Sequence, residues 1–286
     1  MNSKPSITLP GQGVSPALTR QDLEGMVAQV LHGGRGLLLE DGETFRFECQ
    51  KTCNGCCRAC DLMVMPYDVL RISRRLAIST HEFLSRYTVL YPGSNSGMPV
   101  CILDRETWGG CPFVTPRGCS IYEDRISCCR NFPLGRLMDG LRDGTLSSYY
   151  FFQADVCPGC GQGREWTAAE WRAEQGMGPY QEENERFAAL MERLMGIFQG
   201  QVPPPEVSLG LILGLYDFDT LAVRVAQGDG LGQMAASVNL MNPLNPMDGL
   251  APGGDANYNL GQQFVRRVLL PAVESRFRKG PGGNSD

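Results

Sequence analysis

The chain has 286 residues, 42% of them hydrophobic, and a formal net charge of -5. That size and apolar content allow one large or two ordinary folded domains, while the acidic balance argues against nucleic-acid binding, which depends on Lys and Arg displacing counterions. The longest apolar run, Val207 to Tyr216, is about half the roughly 20 residues of a membrane helix, and Met1 to Arg20 holds no apolar signal core. The expectation is therefore a cytoplasmic protein in a reducing compartment, with no membrane span.

Residues 1–43 read as an arm: Pro, Gly and Ser first, then a short helix over Leu23 to Leu39 interrupted by Gly33, Gly34 and Gly36. Thr44 to Cys49 alternates as a strand does, with Phe45 and Phe47 on one face. Pro66 opens a helix carrying Val69, Leu70, Ile72 and Leu76, and the Ser79…Glu82 spacing of a capping box opens its partner in a helical hairpin. A Gly/Pro/Ser loop over Pro92 to Pro99 follows; Leu146 to Phe152 reads as a strand, and Cys157-Pro-Gly-Cys160-Gly as a tight turn.

Residues 44–165 form the expected cysteine-rich domain and residues 166–286 a helical C-terminal region. In the latter, Thr167 and Glu170 have capping-box spacing, and Phe187, Leu190, Met191, Leu194, Met195 and Phe198 mark one helix face. One helix is expected over Val207 to Val225, a long Gly/Asn/Pro/Met loop over Gly228 to Gly261, and a terminal helix over Gln262 to Phe277. The fold class that emerges is α+β, mainly helical, with irregular loops and short strands carrying the cysteines against C-terminal helices.

All twelve cysteines lie between Cys49 and Cys160, four of them in the nine-residue stretch Cys49 to Cys57. Packing does not need four thiols in so short a segment. Thiolates converging from a tight turn are what zinc, soft metals and iron–sulfur clusters require. Asn54 and Gly55 let Cys53 and Cys56 turn toward one ion, whereas adjacent Cys56 and Cys57 diverge if extended. Disulfides are the alternative for an even cysteine count, disfavoured in a reducing compartment. Residues 44–164 carry 14 Lys+Arg against 11 Asp+Glu, +3, leaving -8 elsewhere. Those arginines can offset anionic sulfur.

Phe47-Glu-Cys49 with Cys53-Asn-Gly-Cys56-Cys57, Asp68-Val-Leu-Arg71-Ile, Cys111-Pro-Phe, Cys119-Ser-Ile-Tyr-Glu-Asp-Arg125, Cys129-Arg-Asn-Phe-Pro133 and Cys157-Pro-Gly are the sequence's most distinctive blocks. Together they resemble the YkgJ-like cysteine-cluster (CxxCxxCC) family, described as zinc- or iron-chelating. One extra residue separates the first two cysteines, and Ile126 stands where the family usually has proline. The resemblance spans about residues 44–195. It selects Cys49, Cys53, Cys56, Cys57, Cys111, Cys119, Cys129 and Cys157 as cofactor and metal ligands. Cys60, Cys101, Cys128 and Cys160 are additional to that pattern.

Only His32 and His81 are present, and both read as helix surface or loop. An all-thiolate site suits zinc as well as iron–sulfur. The middle ligands are scattered instead of forming paired knuckles, which favours an iron–sulfur cluster, expected as 4Fe-4S and one or more in number, with zinc the alternative. Tyr122, Arg125 and Arg130 either tune cluster sulfurs or a bound anion, or brace the loop through salt bridges to Glu123 or Asp124. Asp217 and Asp219 read as exposed helix caps. No phosphate loop, GxSxG or HExxH motif occurs.

Three functions are compatible with this reading. The first is single-electron transfer or redox sensing for a protein redox or client partner. The second is cluster-dependent modification, since the resemblance extends to flagellin lysine methylases. The third is zinc stapling of an interaction module. Neither catalysis nor oligomeric state follows from the sequence.

Overall fold

In chain order the elements are β1 (Arg35–Leu39), β2 (Thr44–Phe47), α1 (Gly55–Ala59), α2 (Pro66–Leu76), α3 (Thr80–Tyr87), β3 (Thr88–Pro92), β4 (Pro99–Leu103), α4 (Arg105–Trp108), β5 (Val114–Thr115), β6 (Gly118–Cys119), α5 (Ser127–Asn131), β7 (Leu134–Met138), β8 (Ser147–Gln153), β9 (Cys160–Thr167), α6 (Ala168–Glu174), α7 (Gly178–Phe198), α8 (Pro205–Leu215), α9 (Phe218–Gln227), α10 (Ala256–Gln263) and α11 (Leu270–Phe277). This is a computed structural model that describes residues 35–39, 42–50, 55–59, 62–94, 96–138, 147–153, 157–230, 233 and 255–277. The fold is α+β and mainly helical, with short antiparallel strands. The chain divides into two units, Met1–Leu62 with Arg105–Gly178 and Met63–Asp104 with Pro179–Asp286.

In the first unit, β8 pairs antiparallel with both β1 and β7. Arg35–Leu39 is thus strand where a helix was expected; the rest of that helix lies outside the described residues. The alternation in β2 is realised: Phe45 and Phe47 are buried, and β2 pairs antiparallel with β9 through a register shift between Arg46 and Phe47. They join Leu134, Trp166 and Trp171 in an aromatic core, with Cys157 and Cys160 packed against it. Trp171 holds its ring edge-on to Phe47 at 5.2 Å and to Trp166 at 5.1 Å, the geometry favoured by ring quadrupoles. Thr167 and Glu170 close the anticipated capping box at the start of α6.

The second unit contains the expected helical hairpin of α2 and α3, the latter capped by Ser79, whose side chain accepts from the Glu82 N–H. β3 and β4 form a two-stranded ribbon in which Cys101 and Leu103 point inward. On α7 the apolar stripe buries Leu190, Leu194 and Phe198. The single helix expected over Val207 to Val225 is instead two, α8 and α9, because the backbone leaves helical geometry at Asp217. The terminal helix begins earlier than expected, at Ala256, where Asp255 caps it, and passes through a π-helical stretch, Phe264–Leu269. α8 and α10 meet backbone to backbone: a Cβ at Gly261 would stand 2.3 Å from the Gly214 carbonyl oxygen, so only glycine fits. Most of the expected Gly228–Gly261 loop lies outside the described residues.

Asp217 and Asp219 are not exposed caps. Asp217 is 6% exposed and accepts from Thr80 Oγ1 at 2.9 Å. Asp219 accepts two hydrogen bonds from the Arg74 guanidinium at 2.7 and 2.8 Å, one from the Thr80 N–H and one from Asn257 Nδ2. Burial opposes ionisation of Asp219, yet these donors outweigh it and hold the carboxyl down at about 2. With the folded value below the unfolded one, the stabilisation is complete above the ordinary carboxylate range and is lost as pH falls through about 2. Asp219→Ala is expected to cost about 2 kcal/mol at neutral pH. Urea unfolding at neutral and at strongly acid pH checks this: the gap between variant and parent should shrink with acid, and a constant gap would contradict the account.

Candidate metal centre

The cysteine knot is the stretch Cys49 to Cys57, and its described part after Asn54 is helical. Gly55–Ala59 forms the short helix α1, so Cys56 and Cys57 stand on a helical backbone, successive residues about 100° apart around its axis. Cys57 is half-buried; Cys53, Cys60 and the Cys56 side chain lie outside the described residues. Arg105 reaches across to donate to the Arg58 carbonyl, and the Gly110 N–H returns to the Arg105 carbonyl at 3.1 Å. The chain turns through Gly109 and Gly110, both at positive φ. The Cys111 N–H then donates to the Cys57 carbonyl at 2.9 Å. The knot and the downstream block are therefore joined at the backbone, cysteine to cysteine, across 54 positions of sequence.

Cys111 is buried, and from it the chain makes the small β5–β6 hairpin, in which Val114 pairs with Cys119. Burial pushes the Cys111 thiol up to about 11. The Phe113 and Val114 N–H groups pull the other way by hydrogen bonding to sulfur, while Cys129 and Cys119 lie close enough for their charges to push it further up. A cluster of thiols that repel one another as thiolates, with backbone donors already directed at one sulfur, is the donor set a soft cation stabilises. Cys119 and Cys129 are half-buried; Cys129 sits on α5, and its neighbour Cys128 is exposed.

Arg125 and Arg130 brace this region, one of the two roles expected of them. Arg125 donates to the Tyr122 carbonyl at 2.6 Å and to Gln175 Oε1, and stacks over the Tyr122 ring at 4.0 Å. Arg130 donates to the carbonyls of Gln175, at 2.7 Å, and Glu123. Asn131, at the end of α5, donates to the Leu134 carbonyl and accepts at its own carbonyl from the Trp171 indole at 3.2 Å. The aromatic core thus holds the helix that carries Cys129.

The remaining cysteines fall in different settings. Cys49 is exposed just beyond β2. Cys157 and Cys160 flank a turn in which the Cys160 N–H donates to the Cys157 carbonyl at 3.1 Å. The Glu48 N–H donates to the Gly159 carbonyl at 3.1 Å, which sets that turn against the strand leading to Cys49. Cys101 belongs to the second unit, fully buried on β4, where burial pushes its thiol up to about 12; this is the setting of a packing residue. Among the described residues no three His, Cys, Asp or Glu side chains are already gathered as a metal would hold them. His81 stands in the second unit, 3.0 Å from Asp217 and largely exposed, as a helix-surface residue. No helix among the described residues is long and apolar enough to cross a membrane.

The arrangement is a thiol-rich segment assembled from separate loops. Residues 48–161 match the family model CxxCxxCC, described as "Putative zinc- or iron-chelating domain". That segment, under half of the chain, is similar to the CxxCxxCC family, whose pattern its cysteines resemble, and the description supports metal binding in general. No curated protein and no solved structure matches the chain.

Proposed function

We propose that the cysteine-rich segment holds an iron–sulfur cluster, expected as 4Fe-4S, and serves one-electron transfer or redox sensing for a protein partner in a reducing, cytoplasmic setting. The observation that carries this reading is the link between Cys57 and Cys111, with Cys119 and Cys129 acting electrostatically on the same sulfur. These four are the ligands for which the geometry argues most directly; Cys49, Cys53, Cys56 and Cys157 complete the set that the family resemblance selects. An all-sulfur donor set arriving from separate loops suits a cluster better than the paired knuckles usual for structural zinc.

Bound there, a cluster supplies a one-electron couple. The chain's own contribution is to exclude water around Cys111, to direct the Phe113 and Val114 N–H groups at its sulfur, and to fix the loop through Arg125 and Arg130. Zinc in the same thiols would make the segment a structural staple, and an iron site left open to substrate would allow a modifying enzyme.

Iron, sulfide and zinc per chain on anaerobically purified protein, with the electron paramagnetic spectrum before and after reduction, separate these. Stoichiometric iron and sulfide with a reversible one-electron signal is the expected result. A colourless protein holding stoichiometric zinc would overturn it.

A further inference from the structure

We infer that Cys157 and Cys160 form a redox-active dithiol, which closes a disulfide across its own turn in exchange with a low-molecular-weight disulfide such as oxidised glutathione. Cys160 is one of the four thiols outside the family's pattern, and the structure gives it a particular neighbour. The hydrogen bond from its N–H to the Cys157 carbonyl, at 3.1 Å, closes a four-residue turn. Such a turn keeps its end Cα atoms under about 7 Å apart, against the roughly 4.4–6.8 Å that a disulfide spans.

Three features hold the turn in place. Pro158 restricts its first central position. A Cβ at Gly159 would stand 2.3 Å from the Glu48 carbonyl oxygen, so the turn is pressed against the neighbouring strand where only glycine fits. Cys160 begins β9 opposite Phe47, and both cysteines pack against the aromatic core while remaining half-exposed. Two thiols held at this spacing have the composition of a dithiol couple.

The exchange balances without a further reactant. The thiolate of one cysteine attacks the glutathione disulfide, forming a mixed disulfide and releasing one glutathione. The second thiolate then displaces the other, so two electrons leave the protein and its two thiol protons end on two glutathione thiols. Where Cys157 also serves as a metal ligand, as the function proposed above has it, ligation and oxidation compete for the same sulfur.

The test equilibrates the full chain, as purified and after chelator treatment, over a series of reduced-to-oxidised glutathione ratios. Samples are quenched in acid, alkylated and mapped by mass spectrometry, with metal content measured in parallel. The expected result is a peptide that loses both alkyl groups together as the buffer becomes oxidising, in a single two-electron step. In Cys160→Ser that step disappears and Cys157 carries only alkyl or a glutathione adduct. Both thiols staying alkylated throughout the series in the stripped chain, or Cys157 found joined to a different cysteine, would overturn the inference. A chain that closes this disulfide yet never holds metal refutes the cluster and leaves the dithiol standing.

Discussion

Exchanging Cys111 for serine is expected to leave the chain nearly devoid of bound metal while its helices persist. Cys111 is where the knot and the downstream block meet: its N–H bonds to Cys57, its sulfur receives two backbone donors, and two further thiols act on it. A serine hydroxyl is a harder and shorter donor than a thiolate, unsuited to soft metals. Loss of a ligand should exceed the 10–100-fold loss of affinity, roughly, that follows removal of an outer hydrogen-bond partner. Metal per chain, by elemental analysis of folded protein, checks this. Cys101→Ala is the comparison: that thiol is buried in the second unit, so the variant should lose stability and keep its metal. Equal metal in Cys111→Ser and parent would remove Cys111 from the site.

The second large effect is expected at Trp171, eleven positions beyond the last cysteine. Truncating it to alanine should cost about 4 kcal/mol, the range for deleting a buried large aromatic, because it contacts Phe45, Phe47 and Trp166 at once. It also deprives the Asn131 carbonyl of its indole donor, and Asn131 closes the helix carrying Cys129. Metal should therefore be released at lower denaturant concentration than in the parent. Trp171→Phe keeps an aromatic ring but loses the hydrogen bond and part of the indole's packing, a cost of about 1–3 kcal/mol. Denaturant titration followed by metal release measures both, and equal midpoints for the alanine variant and parent would refute the coupling.

Local signals carried much of the fold. Phe45 and Phe47 alternate because one face of β2 is core, and the Thr167–Glu170 pair closes the box its spacing announces, since both depend on residues a few positions apart. The same holds for the turn at Cys157 to Cys160. What escaped was non-local. The break between α8 and α9 follows from Asp217 bonding to Thr80, and the pairing of β1 with β8 from a partner more than 100 residues away. Neither leaves a periodic trace nearby. For the site, the cysteine pattern shows which thiols to consider but not how they divide. Cys101 resembles its neighbours in sequence and differs only in facing a core, whereas the link between Cys57 and Cys111 runs through backbone atoms that every residue possesses.

That link also has a consequence in time. Residues 63–104, which lie between the two partners, belong to the other unit, so Cys57 leaves the ribosome well before Cys111, Cys119 and Cys129. At about 5–20 residues per second, the 72 positions from Cys57 to Cys129 take roughly 4–14 s to synthesise. Until that interval ends the first thiols are present without the full set of later ones. On the proposed ligand set, metal uptake is consequently an event of the finished cysteine-rich segment.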